Sequence, residues 1–290
     1  MTIRKQPLMT TDRCLFSELR TLLTLLVSLV SVTPAFARGC MVGELPAAQE
    51  KLSFNSVGAG QFSLLDGYMS PNVYSGPVVD VAFRTQKPLR ANGKWYTSSF
   101  FKAGLSQMSD RSGYGSMSSL MTDWHFSWAR LWVATPHFRL LAGPELYLKA
   151  GGLYNGRNSN NPAHLKLFLT SGLYAESVFN FRIGSFPLSL DWNVSVPLAG
   201  YNFAPVYGLQ YYEIGYMGRF GEASHFAWPL NVHDIAQCIS LDIPAGKRQI
   251  RLSYSGDYYA CGIGGIRCRM YESSFLIGLV RRIEFKYNGR

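Results

Sequence analysis

His125 and Ser127 stand two residues apart in the run Trp124, His125, Phe126, Ser127, Trp128. On an extended chain that spacing turns both side chains to one face. A histidine beside a serine can take the hydroxyl proton and create a nucleophile, provided a carboxylate orients the imidazole. Glu145, on the next extended stretch, is the only obvious acid for that task. Together they would give Ser127 as nucleophile, His125 as base and Glu145 as orienting acid. Other chemistry finds little to work with. His137, His164, His225 and His233 lack ligand spacings such as His-x-x-x-His, no Cys-x-x-Cys occurs, and no glycine loop cradles a phosphate. No metal and no cofactor is therefore expected. A lone histidine in a turn reads as a solvated turn residue.

Two polar segments stand out as binding or loop motifs. The first, "LYNGRNSNNPAHLKLFL" (153–169), sets Tyr154, Asn155, Arg157, Asn158, Asn160 and Asn161 between apolar stretches. Asparagines bond nearby backbone groups and can replace ladder hydrogen bonds where strands leave a sheet. An ordered loop folded over a barrel mouth is expected here, with glycan or lipid-headgroup contact as the alternative. The second segment carries Tyr207, Tyr211, Tyr212 and Glu213, plus Tyr216. It suits a membrane interface or an oriented ligand, and "QYYEIGYM" within it could add a strand pair. Cys261 and Cys268 flank the Gly-rich "GIGGIR" and are expected to close a small disulfide loop, while pairing of Cys40 with Cys238 is left open.

The elements that position these residues alternate with period two. Leu188, Leu190, Trp192, Val194, Val196 and Leu198 interleave with Ser189, Asp191, Asn193 and Ser195, and Trp124, Phe126, Trp128 and Trp132 with His125, Ser127 and Ala129. Strands are expected at 52–63, 77–86, 94–107, 118–133, 138–150, 165–183, 187–199, 236–243, 248–257 and 271–285. Their connections alternate short (87–93, 134–137, 184–187, 244–247) and long (64–76, 108–117, 151–164, 200–235, 257–270). A soluble sandwich prefers strands of about 5–6 residues, whereas a membrane barrel needs about 9–11 per strand with short turns at one rim. The reading is an all-β antiparallel transmembrane β-barrel of about ten strands, within a range of eight to twelve. Asp191, Asn193, Glu176, Arg182, Arg139 and Glu145 are expected in its lumen.

Compartment follows from the first forty residues. Arg4, Lys5, Arg13 and Arg20, an apolar run from Leu22 to Val32 and the Ala35-x-Ala37 pattern read as a cleaved signal over 1–37. The barrel domain then spans 38–290. Removing the signal deletes four basic and two acidic residues, leaving 24 basic against 16 acidic, a formal charge of +8. That excess suits anionic lipid or polysaccharide, and an exported chain makes nucleic acid an improbable partner.

Three stretches resemble an uncharacterised family of exported, predicted outer-membrane β-barrel proteins of Bacteroidetes. Asp66, Tyr68, Ser70, Pro71, Tyr74 and Gly76 are similar to its opening pattern. Tyr154, Asn155, Arg157, Asn158, Asn160, Asn161, Pro162 and Ala163 resemble its Asn-rich signature. Pro205, Tyr207, Gly208, Tyr211, Tyr212 and Glu213 resemble its tyrosine motif. The chain departs from that pattern where Cys261 and Cys268 occupy a loop that usually carries Asn and His, and where Phe285 is followed by five further residues. The resemblance implies location and fold rather than a reaction. The His-x-Ser pair also distantly resembles that of outer-membrane lipid deacylases, without the neighbours of that pair. The leading expectation is a non-catalytic outer-membrane barrel with a structural, adhesive or narrow-channel role. Its partners would be outer-membrane lipid and lipopolysaccharide, and a glycan is a further candidate. The alternatives are an envelope lipid hydrolase using Ser127 and His125, or a secreted glycan-binding β-sandwich.

Overall fold

The computed structural model describes residues 43–46, 50–89, 93–158, 162–206, 208–245 and 248–284. The signal segment, Cys40, Asn160, Asn161, Tyr207 and Phe285 lie outside them. The strands are β1 (Glu50–Asp66), β2 (Val73–Pro88), β3 (Trp95–Asp110), β4 (Ser116–Ala134), β5 (Phe138–Tyr154), β6 (Ala163–Ile183) and β7 (Phe186–Phe203). Helices α1 (Tyr211–Tyr216) and α2 (Phe220–Ala223) follow, then β8 (Ser224–Ala227), β9 (Val232–Ala245), β10 (Arg248–Ile263) and β11 (Ile266–Glu284).

Every neighbouring pair is antiparallel, and β1 pairs with both β2 and β11, from Glu50↔Glu284 to Asp66↔Cys268. The chain thus closes into a barrel of ten strands, β1 to β7 and β9 to β11. Closure leaves no wall strand with unpaired edges, which hydrocarbon would not tolerate. The short β8 adds to the upper end of β7, above the span where β7 pairs with β9. The ten expected strands and the ten wall strands agree one for one, and the short β8 is additional. The observed strands run several residues further at the end away from the termini, and the expected long joint at 257–270 is mostly strand. There β10 and β11 meet in a two-residue turn at Gly264 and Gly265, whose φ of 59° and 76° only glycine adopts cheaply. "QYYEIGYM" forms α1 instead of a strand pair: Tyr212 and Tyr216 stack at 5.1 Å along one helix face while Ile214 is buried below. Gly172 sits at a bulge between β6 and β7, where a Cβ would lie 2.3 Å from the Val196 carbonyl oxygen.

The pleat separates two chemistries. On β11 the outward residues Tyr271, Phe275, Ile277 and Leu279 form an apolar row bracketed by exposed Arg269 and Arg281. Twelve residue steps at about 3.3 Å, tilted by about 40°, cover roughly 30 Å of bilayer normal, the hydrocarbon thickness. Val57, Val79, Leu105 and Trp128 continue the row around the wall as exposed apolar side chains. Inward positions are instead buried and charged: Asp80, Lys102, Asp123, Glu145, Lys149, Glu176, Asp191, Asp242, Arg251 and Glu272. Asn193 and Arg139 also line lumen cavities. Arg182 does not, being exposed beside the β6–β7 turn, where the strand has run past the lumen.

The lumen is filled by ion pairs, some between neighbouring strands and others reaching across the barrel. Lys102 on β3 bonds Asp257 on β10 and Glu272 on β11, the latter at 2.7 Å, and lies 3.8 Å from Asp123 on β4. Arg84 on β2 reaches across to Glu176 on β6 (2.9 Å) and Asp191 on β7 (3.4 Å). Arg251 on β10 grips Asp242 in a two-pronged pair (2.6 and 2.7 Å) and reaches Asp191 at 3.1 Å. Such planar forks suit arginine. Toward the end away from the termini the lumen turns apolar and methionine-rich, with Phe62, Leu64, Met108, Met117, Met121, Phe168, Tyr259 and Met270 buried together. At the opposite end the segment Gly43–Pro46 enters the mouth. A Cβ on Gly43 would lie 2.1 Å from Asn180 Oδ1, Pro46 is buried, Leu45 packs on the Ala129, Leu141, Tyr174 cluster, and Arg282 donates to the Glu44 carbonyl at 3.0 Å.

Candidate functional site

The three polar motifs, distant in sequence, converge on the mouth away from the termini. In the β1–β2 turn the Tyr68 hydroxyl donates to the Leu209 carbonyl (2.7 Å), tying it to the segment before α1. The Tyr211 hydroxyl accepts the Leu165 backbone N–H (2.7 Å). That N–H lies at the start of β6 beyond the last β6–β7 pair, Leu167↔Phe203, so the phenol takes the place of a missing ladder partner. Asn155 donates from Nδ2 to the Tyr74 hydroxyl (3.4 Å), and its Oδ1 accepts from the Arg157 N–H (3.1 Å). Asn158 donates to the Met69 carbonyl at 3.2 Å. The amides of Asn155 and Asn158 thus tie their end of the asparagine segment to Tyr74 and to the β1–β2 turn. Burial pushes the Tyr211 phenol up to about 12 and raises Tyr68 as well, with the Asp66 and Glu213 charges adding to the latter. Both stay protonated at neutral pH. Glu213 accepts from the Gln210 N–H (2.9 Å) and pairs with Arg219 (2.9 Å), fixing α1. Tyr154, Arg157 and Tyr212 face solvent.

Beneath this cap lies a cluster that the sequence reading passed over. Asp66 at the end of β1 bonds His164 Nδ1 at 2.7 Å and Lys166 Nζ at 2.9 Å, both from β6 on the opposite wall. The His164 ring sits 4.7 Å from that of Tyr68 and 6.3 Å from that of Tyr211. Lys166 also donates toward Cys268 Sγ at 3.4 Å. His164, Lys166, Asn202, Cys261 and Cys268 line a cavity of about 20 Å³, and buried His164 Nε2 and Asn202 Oδ1 have no hydrogen-bond partner among the described residues. The space accommodates about one water. His164 read as a solvated turn residue, but it is 3% exposed, an inward strand residue bonded to a carboxylate. The alternation of His164, Lys166 and Phe168 was the available signal.

The serine, histidine and glutamate lie together deep in the lumen. His125 Nδ1 is 3.1 Å from Glu145 Oε1, so the expected orienting acid is in place. Ser127, directly opposite Glu145 on the ladder, donates instead to the Ser98 carbonyl at 3.4 Å. All three side chains are buried and line a cavity of about 50 Å³ also bounded by Arg84, Tyr174 and Arg251. An acyl chain does not fit that volume. Cys261 and Cys268 are exact ladder partners with free thiols, the first half-buried and the second buried. Cys238 is a third free thiol and lines the central cavity.

A family profile described as "Protein of unknown function (DUF3316)" matches residues 21–288. Among solved structures, the outer membrane protease OmpT from Escherichia coli is similar at 7% identity and a TM-score of 0.48, covering 85% of this chain and 100% of its own. The translocator domain of the autotransporter NalP from Neisseria meningitidis follows at 7% and 0.34, covering 92% and 98%. An outer membrane channel from Pseudomonas putida F1 matches at 9% and 0.33, covering 87% and 100%. No curated protein sequence matches the chain. At these identities and scores the solved structures transfer no activity to this chain.

Proposed function

For a chain that belongs to the DUF3316 family of proteins of unknown function, we propose an outer-membrane barrel without catalysis that serves a structural or adhesive role. One observation carries this reading: the barrel has an oily outside of bilayer height and a lumen tied shut wall to wall. The apolar belt supports residence in the outer membrane of an exported protein, surrounded by lipid and lipopolysaccharide. Among the described residues the cross-wall ion pairs, the methionine-rich upper core, the cap and the Gly43–Pro46 segment fill the lumen, which favours a closed barrel over a channel. The cap, with Tyr154, Arg157, Tyr212 and Tyr216 outward, is the face offered for contact with glycan or lipopolysaccharide headgroups. His125, Ser127 and Glu145 are packing members of the lumen in this reading.

Fractionation tests it directly. The folded chain should be recovered in detergent-extracted outer membranes, migrate faster on SDS gels before boiling than after, and give no steady conductance in planar bilayers. Recovery as a detergent-free soluble protein without heat-modifiable migration removes the barrel-in-lipid reading, and sustained single-channel steps remove the closed one. Ser127→Ala addresses the hydrolase alternative. Release of fatty acid from lipopolysaccharide or phospholipid by the native chain, abolished in that variant, would restore the enzyme reading.

A further inference from the structure

The geometry points to Cys261 and Cys268 as a redox-active dithiol beneath the cap, with Cys261 the attacking sulfur and Cys268 the resolving one. Directly opposed residues of an antiparallel ladder stand about 4.5–5.5 Å apart at Cα, within the span of about 4.4–6.8 Å that a disulfide bridges. The pair lies two residues from the Gly264–Gly265 turn, and both side chains line the cavity with His164 and Lys166. The ladder already holds β10 against β11, so a staple has little to add to that hairpin. What distinguishes the site is its charge. Lys166 reaches across from β6 to within 3.4 Å of Cys268 Sγ and is itself held by Asp66 at 2.9 Å, so a cation is fixed beside the sulfur that must carry negative charge during exchange. Exposure sorts the two roles, because Cys261 is half-buried and Cys268 is buried.

The chemistry is thiol–disulfide exchange with a small-molecule disulfide, RSSR, of the exported compartment. The Cys261 thiol gives its proton to solvent, and its thiolate attacks one sulfur of RSSR. The S–S bond of the donor breaks, a Cys261–S–S–R bond forms, and RS⁻ leaves to take up a proton. Cys268 then loses its proton, its thiolate beside the Lys166 ammonium attacks Cys261 Sγ, and the second RS⁻ departs and is protonated. Two thiols have been oxidised and one disulfide reduced to two thiols. The reverse reaction with a reducing thiol reopens the bridge.

The test uses the full mature chain, folded in detergent, with Cys40→Ser and Cys238→Ser as background, and oxidised glutathione as the probe. In that background the probe should produce an internal bridge, seen as loss of two alkylatable thiols with no retained adduct and reversed by reduced glutathione. Adding Cys268→Ser should trap one glutathione adduct on Cys261. Adding Cys261→Ser should trap none on the buried Cys268. Lys166→Met should slow bridge closure more strongly than it slows adduct formation on Cys261 in the Cys268→Ser chain. Heat-modifiable migration checks that each variant is folded, and because the barrel is scored separately, failure of the exchange leaves the membrane reading standing. Two thiols that remain alkylatable after the probe, or equal trapping on either cysteine, overturn the proposal.

Discussion

Replacing Ile277 by arginine separates a wall bathed in lipid from one bathed in water. Ile277 faces outward on β11, is 53% exposed, and lies two residues from the middle of the Arg269–Arg281 interval. In lipid its exposed half contributes about 1 kcal/mol of apolar transfer, taking full burial as about 1.5–3 kcal/mol. An arginine near the bilayer midplane costs about 2–4 kcal/mol more. The expected loss is therefore about 3–5 kcal/mol, a shift of roughly 10²- to 10³-fold or more in the folded population at about 1.4 kcal/mol per tenfold. A matched substitution, Tyr114→Arg in the β3–β4 turn, where the side chain is 75% exposed, should cost no more than about 1 kcal/mol because depth sets the penalty. The assay is reversible guanidinium unfolding from phospholipid vesicles, followed by tryptophan emission. On a water-facing wall the Ile277→Arg change would fall within about ±0.5 kcal/mol, and equal midpoints for the two variants refute the lipid-facing assignment.

Three further outcomes follow from the interior and the cap. Arg251→Met leaves Asp242 and Asp191 without their shared arginine in the lumen, and should destabilise the barrel by about 3–5 kcal/mol, read as a lower temperature of gel-shift conversion. Tyr68→Phe strands the Leu209 carbonyl beneath the cap and should cost about 1–3 kcal/mol, with faster protease cutting between Ala204 and Asn231 than in the native chain. Since burial holds the Tyr211 phenol at about 12, Tyr211→Phe should leave the pH profile of that same cutting unchanged between about 6 and 9. A protonated phenol pK raised in the fold opposes ionisation, so its stabilisation is present below the ordinary phenol range and is lost only as pH rises through about 12.

Much of the wall was legible because the pleat writes itself into sequence. Asp191 between Leu190 and Trp192 cannot point the same way as its neighbours, and repetition of that conflict along β7 fixes which face is wet. Strand ends run past the expected bounds because the pattern inverts above the apolar belt, where Ser63, Gln107, Ser109, Ser116 and Ser118 stand on the outer face. Leu64, Met108 and Met117, which the sequence reading places in the long connections, continue the alternation with the apolar side turned into the lumen. Arg182 was misplaced for a related reason, since alternation gives the face of a residue but not its height. The cap was half visible. Its asparagines signalled a self-bonded loop, yet the partnership of Asp66 with His164, separated by 98 residues, exists only because β1 and β6 stand on opposite walls of a closed ring. Helix α1 escaped notice because six tyrosine-rich residues read as readily as strand, and only docking of Tyr211 and Ile214 decides the matter.

The Gly43–Pro46 segment touches groups that come from distant parts of the chain: Asn180 near the end of β6, Ser189 on β7 and Arg282 near the end of β11. Those surfaces meet only once the last strand has zipped against the first. Gly43–Pro46 thus spans from the β6–β7 wall to the β11 wall, a bracket whose two footholds stand at the right distance only in the closed ring.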